Sequence, residues 1–196
     1  MRWKALELAG CGRSRRARTL AARPERLRAV AAALARADGR GVIARGGGRS
    51  FGDAALNDRG RTILTTRLDR ILSFDAEAGV VVGEPGVTFR DLLSVVLPRG
   101  WLPPVCPPTA DATLGGALAA DAHGMNYRGM GGFGDHVPWL ELVTPAGALV
   151  RASPQDDADL YFATIGGLGL TGVVVTLCLR LMRVPSNAAV VRLCLL

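Results

Sequence analysis

Three consecutive glycines between two arginines are the residues of this sequence best suited to bind an anion. The stretch ARGGGRSFGD runs from residue 44 to residue 53 and follows a short apolar run. Glycine backbones allow close approach by a ligand, and successive N–H groups in such a loop bind anions. The Ser50 hydroxyl adds a donor, and Arg45 and Arg49 add positive charge if they point inward. The loop therefore predicts a diphosphate site, with a plain tight turn as the alternative.

The loop departs from two familiar nucleotide-binding patterns. It lacks the Gly-Lys-Ser/Thr ending of a P-loop, and its glycines at positions 46, 48 and 52 miss the G-x-G-x-x-G spacing by one residue. No helical pattern follows, because residues 53–60 have the composition of a loop. A P-loop and a Rossmann-type site are therefore both disfavoured.

Two more glycine-rich segments lie downstream, with both histidines of the chain near them. They are TADATLGGALAADAHG (109–124) and ATIGGLGLTGVV (163–174). A ligand large enough to contact three such backbones would be a dinucleotide, with Asp121 and His123 near its reactive end. The alternative is that the glycines serve tight turns and that His123 is a structural histidine.

Alternating apolar patterns predict the elements that position these loops. A helix from Pro24 and a strand over 41–45 precede the first loop, and a helix begins at Thr88 with Asp91 in capping-box position. Ser153-Pro154 is expected to cap a later helix. Further strands are predicted over 61–65, 71–74, 80–82, 139–143, 148–152 and 173–182, a loop over 103–113 and a short helix over 114–121. The chain is therefore expected to be rich in turns and to mix helices with strands.

Composition excludes several classes of protein. With 49% hydrophobic residues the chain is not disordered, and no uninterrupted apolar run reaches the eighteen or so residues of a membrane span. The four cysteines have neither zinc spacing nor a C-x-x-C pair. We therefore expect no metal site, ordinary thiols and a cytoplasmic location.

The positive charge is concentrated at the N-terminus. Residues 1–40 hold 11 Lys/Arg and 3 Asp/Glu, whereas the remainder holds 13 and 14. The arginines are expected to be solvated, and the alternative is a basic arm over 1–16 that makes peripheral contact with an anionic membrane. Only 5% of the residues are aromatic, and Trp3 is the single one within residues 1–40, so nucleic-acid binding is not expected. The twin arginines at positions 15 and 16 are not followed by an apolar segment, so they do not indicate a signal peptide.

Four motifs in order give the sequence a specific resemblance. IARGGGRSFGDAALN, TLGGALAADAHGMN, GGFGDHV and DLYFATIGGLGLTGVV resemble the FAD-binding domain of the FAD-linked oxidase family, also called the vanillyl-alcohol-oxidase or PCMH type. Within it, they are most similar to the decaprenylphosphoryl-β-D-ribose 2′-oxidase group. The resemblance covers roughly residues 8–184. It implies a PCMH-type FAD-binding domain of two α+β subdomains over 17–185, with FAD between them, and the start of a truncated substrate domain over 186–196.

The resemblance also implies a set of site residues. His123 would lie closest to the substrate and have a catalytic role. The implied cofactor-binding residues are Ala44, Arg45, Gly46, Gly47, Gly48, Arg49, Ser50, Phe51, Gly52, Asp53, Ala54, Pro108, Thr113, Leu114, Gly115, Gly116, Ala120, Asp121, Ala122, His123 and Val174.

Two departures from the family pattern bear on the chemistry. Some relatives attach the flavin through a histidine where this chain has Arg49, so non-covalent FAD is expected. The ribose oxidases carry a lysine where this chain has Met125, which leaves recognition of their substrate open. The implied activity is oxidation of a secondary hydroxyl on a sugar-like, polyprenyl-phosphate-linked or other small-molecule substrate. The alternative is a flavin-binding module without turnover of its own, which would need a partner chain to supply the substrate domain.

Overall fold

The computed structural model describes residues 2–37 and 39–188, which form two main sheets with flanking helices. The first part of the chain contains β1 (Lys4–Ala9), β2 (Arg16–Ala22), α1 (Leu27–Leu34), β3 (Val42–Arg45) and β4 (Arg61–Leu64). The second part contains β5 (Ile71–Asp75), β6 (Val80–Gly83), α2 (Phe89–Val96), β7 (Trp101–Leu102), α3 (Leu114–Ala119), α4 (Tyr127–Met130), β8 (Leu140–Val143), β9 (Leu149–Ala152), α5 (Ala158–Thr164), β10 (Val173–Arg180) and β11 (Met182–Arg183). Short 3₁₀ turns occupy Leu97–Arg99 and Gly134–His136.

The first sheet has the order β1-β2-β4-β3. Strands β2, β4 and β3 are parallel, and β1 pairs antiparallel with β2 along its whole length. Parallel strands need a crossover connection, and α1 provides it between β2 and β3. The glycine loop therefore leaves the carboxyl end of a parallel strand, the edge at which open α/β sheets bind ligands.

The second sheet is antiparallel throughout, with the order β5-β6-β10-β8-β9. The predicted hairpin is present as β8 and β9, and the predicted long strand is present as β10. A separate two-stranded sheet pairs β7 with β11. Together with the first sheet and its helix, this arrangement confirms the α+β class.

Two apolar clusters hold the sheets and helices together. The larger one gathers side chains of α2, α3 and the second sheet around Phe89 and Phe133, whose rings meet edge to face at 5.8 Å. The smaller one joins Val30 and Ile63 of the first part to Val173 of β10. Because this cluster contains residues of both sheets, it fixes the relative positions of the loops that follow their strands.

Helix α2 begins as the sequence predicts. The Thr88 side chain accepts a hydrogen bond from the N–H of Asp91, 3.1 Å away. This satisfies a donor that the first turn of a helix leaves unpaired. The cap fixes the start of the helix directly beside residues 110–113, which pair with it.

Three predictions from sequence differ from the structure. Helix α1 begins at Leu27 and not at Pro24. Residues 4–9 of the expected basic arm form strand β1. The helix expected at Ser153-Pro154 begins only at Ala158, because the Ser153 hydroxyl accepts from the N–H groups of Gln155 and Asp156 and closes a turn instead. Most of the predicted segment 186–196 lies outside the described residues, as does Cys194.

Within the part of the chain that the structure describes, no helix is long and apolar enough to cross a membrane.

Candidate functional site

The glycine loop presents unpaired backbone donors to a cleft. Gly48 has a φ of +68°, in the left-handed region that favours glycine. Among the described residues, no protein acceptor takes a hydrogen bond from the backbone N–H groups of Gly46 to Phe51. Such groups require a partner when they leave water. The run is therefore available to an anionic ligand.

The first half of this loop lies against residues 111–113. A Cβ added to Gly46 would overlap the side-chain hydroxyl of Thr113, and one added to Gly47 would lie 2.7 Å from the carbonyl oxygen of Asp111. Real Cβ atoms do not approach backbone oxygens so closely. Glycine at these positions therefore allows two chain segments to meet at the floor of the cleft.

Arg45 fixes the loop from below. Its guanidinium donates hydrogen bonds to the carbonyl oxygens of Ala9, at the end of β1, and of Ala55, at 3.5 Å. The residue is only 9% exposed, and burial lowers the pKa of its guanidinium. A Cβ on Gly48 would overlap this guanidinium. Arg45 thus ties the edge strand to the loop and keeps a positive charge beside the cleft.

The turn between β1 and β2 holds the second half of the loop. The N–H of Cys11 donates to the carbonyl of Ser50 at 2.7 Å. A Cβ on Gly10 would lie 2.6 Å from that same carbonyl oxygen, and one on Gly12 would lie 3.0 Å from the carbonyl oxygen of Phe51. The sequence gives little indication of this contact, because about forty residues separate the two segments.

An ion-pair cluster lies at the edge of the loop. The carboxylate of Asp111 pairs with Nη2 of Arg49 at 2.9 Å and with Nη2 of Arg90 at 2.8 Å. The hydrogen bond from Arg90 is the main reason that the pKa of the Asp111 carboxyl lies below its usual range, and the charge of Arg49 adds to the effect. The carboxylate is therefore ionised at neutral pH.

The second glycine segment brings backbone close to the cleft at the start of α3. The Thr113 hydroxyl accepts from the N–H of Gly116 at 3.3 Å, and the N–H of Gly115 donates to the carbonyl of Pro85 at 2.9 Å. A Cβ on Gly115 would lie 2.6 Å from that proline's Cβ. Leu114, between them, is fully buried in the larger apolar cluster. The core therefore anchors this loop, and its neighbours face the cleft.

The third glycine segment closes the other wall. The N–H of Gly166 donates to the carbonyl of Leu118 at 3.0 Å, and the N–H of Leu168 donates to that of Ala119 at 2.8 Å. Leu168 has a φ of +53°, which is unfavourable for a leucine. These two hydrogen bonds to α3 hold that strained residue against the cleft.

The three segments enclose a cleft of about 440 Å³, within the range of cofactor sites, which is roughly 300–1,000 Å³. The structure brings sixteen of the residues implied by sequence to its walls: Ala44, Arg45, Gly46, Gly47, Gly48, Arg49, Ser50, Phe51, Ala54, Pro108, Thr113, Gly115, Gly116, Ala120, Ala122 and Val174.

Five implied residues do not line this cleft: Gly52, Asp53, Leu114, Asp121 and His123. The His123 side chain is exposed, and its ring packs edge to face on Tyr127 at 5.5 Å. The Asp121 carboxylate accepts a hydrogen bond from the N–H of Gly134 at 2.9 Å, and the residue has a φ of +40°. In the structure Asp121 therefore stabilises the loop that follows it.

Sequence reasoning missed twelve residues of the cleft wall: Cys11, Ala55, Thr65, Pro85, Pro107, Thr109, Ala112, Ala117, Ala119, Leu168, Gly169 and Gly172. Several belong to the glycine motifs and could have been included on that ground. Thr65 and Pro85 belong to segments with no glycine-rich pattern, and only the folded chain brings them here.

Comparison with known proteins identifies the domain. The FAD binding domain family matches residues 19–153. The chain belongs to this family of FAD-binding domains. The predicted resemblance is confirmed, and FAD is the cofactor of this FAD-binding domain.

Three relatives show the range of the family. Decaprenylphosphoryl-beta-D-ribose oxidase of Mycolicibacterium smegmatis is 45% identical over 70% of this chain and 30% of its own length. D-lactate dehydrogenase of Anaerostipes hadrus is 30% identical over 69% of this chain and 30% of its own length. L-gulonolactone oxidase of Bos taurus is 30% identical over 76% of this chain and 33% of its own length. The chain thus spans about a third of the length of these relatives.

The cleft fits the dinucleotide that the family binds. Six consecutive N–H groups, unpaired within the described residues, suit a diphosphate, which accepts several hydrogen bonds at once. Glycine at position 47 lets this loop pack against the carbonyl oxygen of Asp111, which an added Cβ would approach to 2.7 Å. Apolar and small side chains, including Ala120 and Val174, form much of the remaining wall. The residues present therefore match a ligand with one strongly anionic segment.

FAD is expected to protect Cys11 from alkylation. This thiol lies at the cleft wall and is exposed, whereas burial raises the pKa of the thiols of Cys106 and Cys178. Brief treatment of the chain with iodoacetamide, followed by peptide mass spectrometry, should show Cys11 labelling that falls as FAD is added. Labelling of the Cys11 peptide at the same rate with saturating FAD would place the cofactor elsewhere.

Proposed function

We propose that this FAD-binding domain belongs to an enzyme that oxidises a secondary hydroxyl of a sugar-like substrate, including one linked to a polyprenyl phosphate. The observation that carries the proposal is the cradle of unpaired N–H groups between Gly46 and Phe51, at the wall of a cleft built from three glycine segments. The 45% identity to the ribose oxidase supports the substrate class.

The chain's own residues would bind and orient the reactants. Bound FAD supplies a hydride acceptor, and the protein contributes orientation and electrostatics. The backbone N–H groups of the glycine loop bind the diphosphate, with the Ser50 hydroxyl as a further donor. Arg45 offsets the negative charge from below. The start of α3 and the segment 166–172 would form walls against the rest of the cofactor.

His123 is proposed to hold the substrate oxygen. Its exposed ring lies beyond the cleft wall, next to Tyr127, and its neighbour Ala122 lines the cleft. A ring nitrogen in this position can accept the proton of a substrate hydroxyl or donate to its oxygen. These observations support a role for His123 at the substrate end of the site rather than at the diphosphate end.

A flavin spectrum tests the cofactor and its attachment together. Chain expressed with FAD should carry flavin absorbance, and acid precipitation should release all the flavin into the supernatant because Arg49 stands where some relatives have a linking histidine. Flavin that stays with the precipitate would contradict non-covalent binding. Absence of flavin absorbance, even after FAD is added, would contradict the function itself.

A second candidate function is FAD binding without turnover by this chain alone. The open cleft favours it, since Phe51 and Leu168 line the cleft and yet are 76% and 47% exposed. A partner chain could cover these side chains and complete the substrate site. Anaerobic addition of a sugar alcohol to the FAD-loaded chain separates the candidates: bleaching of the flavin band supports turnover, and an unchanged band supports the second candidate.

Peripheral contact with an anionic membrane remains part of the proposal. Residues 1–40 carry a net charge of +8 from 11 basic and 3 acidic side chains. In the structure, Arg16 and Arg18 project from β2 with exposed side chains. Co-sedimentation with phosphatidylserine vesicles should fall as salt is raised. Binding that salt does not weaken, or no binding at low salt, would contradict an electrostatic contact.

A further inference from the structure

Arg49 belongs to two environments at once. It lies within the run of unpaired N–H groups and lines the cleft. Its Nη2 is paired with Asp111, and no other described residue accepts a hydrogen bond from its side chain. The side chain is 45% exposed. Among the described residues, most of its side-chain donors are therefore without a protein partner.

Asp111 does not depend on Arg49. Its other carboxylate oxygen accepts a hydrogen bond from Nη2 of Arg90. The backbone N–H of Arg90 also donates to the carbonyl of Ala110 at 2.9 Å. Arg90 belongs to the first turn of α2 and does not line the cleft. If Arg49 turned away, the carboxylate would keep a charged partner.

The cluster is arranged for an exchange of partners. Arg49 and Arg90 share the Asp111 carboxylate, and the charge of Asp91 acts on Arg90 in addition. Ion pairs this exposed contribute little to stability, and one of them can be broken at small cost. A diphosphate offers a guanidinium two oxygens in the geometry that arginine prefers.

We infer that Asp111 holds Arg49 in the unliganded chain, and that Arg49 leaves it for the diphosphate of a bound dinucleotide while Arg90 retains the carboxylate. The inference rests on the proposed FAD binding. It assigns Arg49 to recognition of the diphosphate. It also gives Asp111 and Arg90 opposing roles that act through Arg49.

Opposite effects of neighbouring substitutions follow. D111N removes the competing carboxylate but keeps the backbone carbonyl that Gly47 meets, so FAD should bind about threefold more tightly. R90Q leaves the Asp111 carboxylate with Arg49 as its only ion-pair partner among the described residues, so FAD should bind about threefold more weakly. R49Q should weaken binding about tenfold. In the R49Q background, D111N and R90Q should have no effect.

The test is equilibrium titration of the full chain with FAD, followed by flavin fluorescence, for the wild type and these variants. R67Q is the matched control, because Arg67 pairs with Glu25 away from the cleft. ADP-ribose, which carries the diphosphate without the flavin, is used in competition. Melting of each apoprotein identifies variants that fail to fold. R49K, which keeps the charge but not the planar fork, should lie between wild type and R49Q.

The outcomes separate this inference from the function on which it rests. Tighter binding in D111N, weaker binding in R90Q, and loss of both effects in the R49Q background, for FAD and ADP-ribose alike, would support the exchange. Weaker binding in both single variants, effects that persist without Arg49, or effects seen with FAD but not with ADP-ribose would overturn it. Failure of the wild-type chain to bind FAD would instead contradict the proposed function.

Discussion

Gly47→Ala is expected to weaken FAD binding by about 30- to 100-fold, because the added methyl group would force apart two backbone segments that are in contact. The new Cβ would lie 2.7 Å from the carbonyl oxygen of Asp111. No side chain can rotate to relieve that contact, so residues 46–48 and 111–113 must move apart. The N–H groups of the loop then no longer converge on one diphosphate. Equilibrium titration with FAD measures the loss.

Gly52→Ala is the matched control. Gly52 belongs to the same loop, does not line the cleft and has no positive φ, and a Cβ added to it would meet nothing within 4 Å. The affinity of this variant for FAD should equal that of the wild type. Melting of both apoproteins checks that each variant folds. Equal affinities for Gly47→Ala and Gly52→Ala would show that the cradle does not bind the cofactor.

Phe133→Ala is expected to cost about 3–5 kcal/mol of the free energy of unfolding, because it empties a core position of a large aromatic side chain. Phe133 is fully buried and meets Phe89 edge to face. The backbone N–H of Phe133, which an alanine keeps, donates to the carbonyl of Ala122 at 2.9 Å. Loss of the phenyl ring should therefore loosen the packing of a residue in the cleft wall. Urea denaturation of the apoprotein gives the difference.

Phe162→Ala serves as the comparison for that experiment. Phe162 is 63% exposed, and its removal should change the free energy of unfolding by no more than about 0.5 kcal/mol. A similar cost for the two variants would mean that Phe133 is not part of a tight core. A lower affinity for FAD in Phe133→Ala alone would show that the core and the cleft are coupled.

The features of the site that depend on neighbouring residues could be predicted from sequence, because short sequence patterns determine them. Glycines 46–48, the cap at Thr88 and the strand β10 each follow from patterns within a few positions. The absence of a helix after the glycine loop was also predictable, since residues 53–60 lack an apolar period. These features depend on backbone conformation and short-range hydrogen bonds.

The contacts between distant segments could not be predicted in this way. The turn at Cys11 meets Ser50, and the carboxylate of Asp111 meets Arg49, across 39 and 62 positions of chain. In β2, the buried residues that alternate with arginines are small, so the two-residue period is weak and the segment resembles a solvated arm. Ser153 could cap a helix or close a turn; Pro154 after it favours the helix, whereas the folded chain forms the turn.

The buried guanidinium of Arg45 makes the outermost strand part of the cofactor site. The guanidinium donates to the carbonyl of Ala9, the last residue of β1, and lies directly against Gly48. If β1 frays, this arginine loses an acceptor and the loop loses its support. A ligand that orders the loop should therefore also order strand β1, although β1 does not line the cleft. The order of this edge strand is expected to increase when the cofactor binds.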